Sequence, residues 1–209
     1  MSIRKVQFGC GFSAPEGWIN YDSSPTLRFE KLPLLGQIYT RNKKRFPTNV
    51  RYGDVIIGLP EKTGSIDLLY SSHVLEHLAL EDLRTALHNL FPLLRPGGTF
   101  RAVLPDLEFE IRRYLDDRTE QAASCFMEHT YLGQKTRKRG ISALAMELFG
   151  NSKHLWMWDY KGLAHEFAAA GFVGIRRAQI GDSEVSGFDV VEDPGRWTNC
   201  LGIQAKKPQ

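Results

Sequence analysis

Apolar positions fall in short, dense runs at several points of the chain and at helical spacing between them. Lys5–Phe8 predicts a first strand that ends at a Gly-Cys-Gly turn, and Trp18–Tyr21 predicts a second. The stretch 27–46 mixes apolar and basic positions and reads as a short helix followed by a loop. A short strand is expected near Val50–Tyr52, ahead of a turn at Gly53-Asp54. Ile66, Leu68, Leu69 and Tyr70 form a near-continuous apolar run, as in a strand covered on both faces.

A helix is expected from about Ala79 to Leu94, because Leu83, Leu87, Leu90, Phe91 and Leu94 recur at helical spacing. Glu81 and Asp82 lie in its first turn, where the helix dipole favours them, and Pro96-Gly97-Gly98 should stop it. The segment TFRAVLP then predicts a strand, and Pro105-Asp106 opens a helix over about Leu107–Asp117. Residues 119–153 read as irregular helix with a basic loop at KTRKRG and an apolar stripe of Ile141, Leu144 and Leu148. That segment is expected to be an insertion or lid on one domain spanning 1–209. A helix over Tyr160–Ala170, capped by Gly171, precedes two strands in GFVGIRRAQI and RWTNCLGIQAKK.

Strands alternating with helices predict an α/β, Rossmann-like fold with a mostly parallel sheet and helices on both faces. The last two strands follow one another and predict an antiparallel C-terminal hairpin. Only residues 12–17 lie between Gly11 and Trp18. A parallel crossover usually takes a dozen residues or more, so the helix between strands one and two should be missing.

The chain has 209 residues, 42% of them hydrophobic and 24% charged, enough for a sizeable core without staples. Its net charge of +3 does not demand a nucleic-acid partner. Cys10, Cys125 and Cys200 are far apart and odd in number, which argues against a disulfide framework and for a reducing compartment. MSIRKVQF lacks a signal-peptide core, and no apolar run approaches the ~20 residues of a membrane helix. The expected location is the cytoplasm.

Candidate chemistry clusters at predicted strand ends. Glycines after the first strand let backbone N–H groups approach a ligand, and Asp22 could accept hydrogen bonds from both hydroxyls of a ribose. His73 and His77 would share a helix face, but Glu76 directly precedes the second histidine, unlike the order of HExxH zinc helices. No metal is expected here, and His77 is read as a packed, hydrogen-bonded side chain. Trp156, Met157, Trp158 and Tyr160 could wall a pocket or fill a core. The basic runs Arg41–Arg45 and Lys135–Arg139 read as solvated faces.

FGCG, NYD at 20–22, GDVIIGLP at 53–60, SIDLLYSSHVLEHL at 65–78 and LFPLLRPGGTFRAVLPD at 90–106 occur in an order that resembles class I S-adenosylmethionine-dependent methyltransferases of the type 11-like group. GCG, GWIN-x-D, SSHVLEHL and LPDLE together resemble small predicted methyltransferases associated with polysaccharide gene clusters. KHLWMWDYKGL at 153–163 resembles their later histidine-tyrosine segment more loosely.

The resemblance implies methyl transfer from S-adenosyl-L-methionine to a small-molecule or saccharide acceptor, at oxygen. It implies a cofactor site of Phe8, Gly9, Cys10, Gly11, Asp22, Gly53, Asp54, Val55, Ser71, Ser72 and His73. Asp22 would hold the ribose and Asp54 the adenine amino group. The short first crossover lacks a helix N-terminus for anions, which favours this phosphate-free cofactor over NAD. An oxygen nucleophile benefits from a general base, for which His154, Asp106 and His73 are the first candidates, with Glu108 and His129 behind them. RNA or protein methylation, and a non-catalytic methyltransferase-like binding protein, stay open as alternatives. Membrane association is not expected, nucleic acid is disfavoured and a homodimer is left open.

Overall fold

A computed structural model describes residues 3–32, 44–136 and 153–209. Seven strands form one sheet: β1 (Lys5–Phe8), β2 (Ile19–Asp22), β3 (Val50–Tyr52), β4 (Ile66–Ser72), β5 (Leu94–Pro105), β6 (Val173–Ala178) and β7 (Cys200–Lys206). Their order across the sheet is β3-β2-β1-β4-β5-β7-β6. The pairs from β3 through β5 are parallel, with Val6 opposite both Ile19 and Leu69. β7 runs antiparallel to β5 and to β6, with Ile203 opposite Ala102 and Arg177. The described helices are α1 (Pro25–Glu30), α2 (Leu80–Leu90), α3 (Leu107–Asp116), α4 (Ala122–His129), α5 (Tyr160–Ala169) and α6 (Pro194–Trp197). None of them is long and apolar enough to cross a membrane.

The apolar runs fold as strands because both faces of the central strands are covered. On one face Leu83, Ala86, Leu87 and Leu90 of α2 and Leu163 and Phe167 of α5 pack on Val6, Leu69, Phe100 and Ile203. On the other, Leu68, Tyr70 and Val103 meet Trp18, Phe188, Val191 and Trp197. That second layer comes from the first crossover and the β6–β7 link.

The crossover between β1 and β2 holds no helix, as its length requires. Two buried amides stitch it down instead. Gln7 donates to Ser13 O at 2.8 Å and to Asn20 Oδ1 at 2.6 Å. Asn20 donates to the carbonyls of Trp18 at 3.1 Å and Pro15 at 3.3 Å. Loop carbonyls that a helix would have satisfied internally thus find side-chain donors.

Several boundaries differ from expectation. α2 ends at Leu90, and a 3-10 turn over Phe91–Leu93 follows it. Strand β5 already begins at Leu94, through Pro96-Gly97-Gly98, because Leu94 pairs with Ile66 and Gly97 donates its N–H to Lys207 O at 3.0 Å. The proline-glycine turn is absorbed as an irregularity at the sheet end. β6 and β7 are an antiparallel pair but not a tight hairpin, since residues 179–199 carry a 3-10 turn at Phe188–Val190 and α6. Of the segment 119–153, α4 is described; Ile141, Leu144 and Leu148 lie outside the described residues.

Candidate functional site

The strand order reverses between β1 and β4, and ligands of open α/β sheets bind at the carboxyl ends beside such a point. There a cleft of about 400 Å³ opens between the ends of β1, β2 and β4 and the turn after β3. Gly9 lines it with φ +63°, and a Cβ there would overlap Cγ2 of Val74. Only a bare backbone turns left-handed in that space. Asp22 closes β2 and is nearly buried. Its Oδ2 accepts from Gly11 N and its Oδ1 from Ser24 N, both at 2.8 Å. Each oxygen keeps a lone pair for a further donor. On the far wall, Asp54 Oδ1 accepts from Ile56 N at 2.9 Å, fixing the turn that presents Val55 and Ile56. A Cβ at Gly53 would come within 2.6 Å of Tyr21 Cδ1, so this wall also needs a glycine.

After β4 the chain turns sharply at His73, whose φ of 54° is rare for a residue with a side chain. His73 and His77 both line the cleft, and Glu76 lies behind them, fully buried. His73 Nε2 faces Arg196 O at 2.9 Å and Nδ1 faces Glu76 Oε1 at 3.3 Å. Burial pulls the His73 pKa down, but the Cys200 thiol, the Glu76 carboxylate and the Arg196 carbonyl outweigh it, giving about 10. An imidazole that donates from both nitrogens has no lone pair left to take a proton.

His77 Nδ1 donates to Lys153 O at 2.8 Å. Leu155 N and Trp156 N donate to Glu76 O at 2.8 and 3.2 Å. These bonds clamp the stretch 153–156 onto the turn at Leu75–His77 and bring in His154 from a distant part of the chain. The His154 and His77 rings stand edge to face with centroids 5.0 Å apart. His154 Nε2 lies 4.0 Å from Glu76 Oε1, as does His77 Nε2. Burial holds the His154 imidazole below its ordinary pKa, against the pull of Glu76.

The structure therefore brings Phe8, Gly9, Asp22, Gly53, Asp54, Val55 and His73 to one cleft. Other expected residues fall outside its lining. Gly11 braces Asp22 from behind. Cys10 packs against Leu27 and Val50, and burial pushes its thiol up to about 12. Ser71 is buried in β4 with an unpartnered hydroxyl, and Ser72 Oγ accepts from Arg196 Nε at 2.7 Å. Asp106 caps α3 through Glu108 N at 2.9 Å and pairs with Arg177 at 3.2 Å. That carboxylate is committed to a cap and a cation. His73 and His77 share no α-helical face, since only residues 75–77 are helical and the turn there is 3-10. The residue the sequence reading passed over is Glu76. Its signal was a carboxylate between apolar and histidine neighbours, in the short turn that follows β4.

Met157 and Trp158 are buried, and Trp158 joins the main core, while Trp156 is exposed. Of the basic runs, residues 41–43 and 137–139 lie outside the described residues; Lys135 pairs with Glu128 at 2.7 Å. A larger hollow of about 750 Å³, lined by Lys5, Trp18, Asp67 and Arg95, lies at the opposite, amino ends of β1 and β4. The candidate cleft is the one at the carboxyl ends, where open α/β sheets bind their ligands.

A doubly wound sheet with one reversed strand and a glycine-and-carboxylate cleft at the switch point defines a nucleoside-binding α/β protein. A family profile described as a methyltransferase domain matches residues 9–176, and the chain belongs to that family. No curated protein matches it. Among solved structures, a Thermotoga maritima S-adenosylmethionine-dependent methyltransferase is 16% identical with a TM-score of 0.51, covering 98% of this chain and 82% of that one. An Archaeoglobus fulgidus S-adenosylmethionine-dependent methyltransferase is 18% identical with a TM-score of 0.50, covering 98% and 86%. The structure of PigF with S-adenosylhomocysteine is 20% identical with a TM-score of 0.51; it covers 98% of this chain, which spans 56% of that one. The fold is that of class I S-adenosylmethionine-dependent methyltransferases.

Proposed function

We propose that the cleft holds S-adenosylmethionine and that the chain directs its methyl group to an oxygen of a small-molecule or saccharide acceptor. The observation that carries this reading is Asp22, a braced and nearly buried carboxylate at the end of β2, facing a cleft of about 400 Å³. That volume lies within the range of small-ligand sites. When bound, the cofactor supplies an electrophilic methyl on a sulfonium centre, and the departing thioether needs no proton.

The chain's own residues divide the remaining work. Asp22 offers its free lone pairs to the two ribose hydroxyls. Gly9 lets the backbone approach closely, and Asp54, Val55 and Ile56 form the wall for the base. His73 and His77 stand at the other end of the cleft with Glu76 behind them. This polar end is where an acceptor hydroxyl would find hydrogen-bonding partners, which supports oxygen as the methylated atom.

Calorimetric titration with S-adenosylhomocysteine tests the reading. One site per chain, weakened at least tenfold by Asp22→Ala, is expected; no heat at millimolar ligand rejects it. A panel of sugar and small hydroxylated acceptors with labelled cofactor then identifies the substrate.

A further inference from the structure

We propose that Glu76, His77 and His154 form a binding site for one divalent transition-metal ion of zinc-like chemistry, with an open coordination position towards the cleft. Their donor atoms, Glu76 Oε1, His77 Nε2 and His154 Nε2, all lie within 4.8 Å of one another. Two imidazoles and one carboxylate are a donor set that suits zinc and its neighbours.

The second observation is the state of the carboxylate. Glu76 is fully buried; His73 Nδ1 approaches Oε1 at 3.3 Å, and Oε2 meets no donor among the described residues. Burying an ionised carboxylate costs several kcal/mol unless a cation or donors compensate it. His77 and His154, each 4.0 Å from Oε1, do not close hydrogen bonds to it. His77 Nδ1 meets a carbonyl, Lys153 O, at 2.8 Å, and a carbonyl can only accept. The Nδ1 proton is therefore fixed, and in the neutral ring the Nε2 lone pair points at Glu76 Oε1 across 4.0 Å. Two acceptors face each other with nothing shared between them. A carbonyl that fixes the tautomer of a ligating histidine is what metal centres use to orient their ligands. His154 Nε2 lies at the same 4.0 Å from that oxygen, and its buried Nδ1 meets no partner among the described residues. These gaps are wider than those around one tetrahedral ion with bonds of about 2.0–2.2 Å, so loading draws the donors inward by roughly an ångström.

Three protein ligands leave a fourth position, and only His77 among them lines the cleft, so that position opens there. An oxygen of the methyl acceptor fits it, and this last step rests on the methyl-transfer reading; the metal site itself does not.

The test uses the full chain stripped with chelator and titrated with Zn²⁺ by calorimetry, and with Co²⁺ by visible absorbance. One ion per chain and cobalt bands of a four- or five-coordinate site are expected. Glu76→Gln, His77→Ala and His154→Ala should each weaken binding at least tenfold. Glu76→Gln and His154→Ala, melted alongside the parent, should still bind S-adenosylhomocysteine within about threefold, and Asp22→Asn should leave metal binding unchanged. If the stripped chain takes up no ion, or if Glu76→Gln binds zinc as well as the parent does, the inference is wrong and His73 alone balances the buried carboxylate. Such a failure with S-adenosylhomocysteine binding intact leaves the functional reading standing. Loss of S-adenosylhomocysteine binding with zinc binding intact does the reverse.

Discussion

Asp22 reaches back along the chain to accept the backbone N–H of Gly11 through Oδ2 at 2.8 Å. Its other oxygen holds Ser24 N at the same distance, so one carboxylate locks the turn after β1 to the entry of α1. The residue proposed to grip the ligand is therefore also a brace of the cleft itself. Asp22→Asn should show both roles, because its amide must turn an N–H toward one of two backbone donors. An unsatisfied buried donor costs about 1–3 kcal/mol. Thermal melts should drop by roughly 2–12 °C at 2–4 °C per kcal/mol for a chain of this size. S-adenosylhomocysteine affinity should fall at least tenfold in the same variant.

Gly9 and Gly11 look alike in the sequence but differ in their surroundings. A Cβ at Gly9 would overlap Val74, whereas one at Gly11 would meet nothing within 4 Å. Both have positive φ, 63° and 53°. Gly11→Ala should therefore cost only the left-handed strain of about 1–2 kcal/mol. Gly9→Ala should add about 1–3 kcal/mol of overpacking and displace the start of the 74–77 turn. Urea unfolding of the two variants checks the ranking, and equal costs would refute it.

The contrast between these glycines shows what the sequence could and could not reveal. Apolar runs identified β1, β4 and α2, because burial on one or two faces leaves a period in the residues themselves. The absent first-crossover helix was legible from length alone. The Pro96-Gly97-Gly98 stretch was misread as a stop because local turn chemistry ignores the pairing of Leu94 with Ile66. In the site, residues at strand ends were legible, since strand polarity points them at the cleft. Glu76 was not, because its significance depends on His154, brought in through two backbone bonds to Glu76 O from a stretch far along the chain. Asp106 shared the strand-end signal, but Arg177 and the cap of α3 claimed it first.

A pH dependence follows from Glu166, which joins α5 to α2. Arg84 donates from Nε and Nη2 to its two oxygens, both at 2.9 Å. These bonds hold the Glu166 carboxyl below its ordinary value of 4.5, against a smaller upward push from burial. A depressed folded pKa stabilises the fold above the unfolded value and loses that contribution as pH falls through the folded one. Glu166→Gln should thus melt below the parent at neutral pH. The gap should close as the pH drops under about 4.5. A gap that persists unchanged into that range would show that the pair contributes through packing rather than charge.

Arg101 lies in the middle of β5 with no solvent exposure. It donates to Asp182 Oδ1 at 2.8 Å and Gln204 Oε1 at 3.0 Å, and also to Glu192 and to the Gln179 carbonyl. Its guanidinium lies 4.8 Å from the Trp197 ring centroid. These partners belong mostly to the β6–β7 link, which also carries Arg196, the residue that holds Ser72 and His73. One buried cation therefore anchors the whole link to the sheet. Arg101→Met removes it and leaves Glu192 buried without its partner, at a cost of about 3–5 kcal/mol. Replacing both, as Arg101→Met with Glu192→Gln, removes the stranded charge, so the double variant should recover part of that loss. A double-mutant cycle by urea unfolding measures the coupling. Limited proteolysis should cut within residues 179–199 faster in the single variant than in the parent, and equal cleavage would show that the link is held by its aromatic contacts instead.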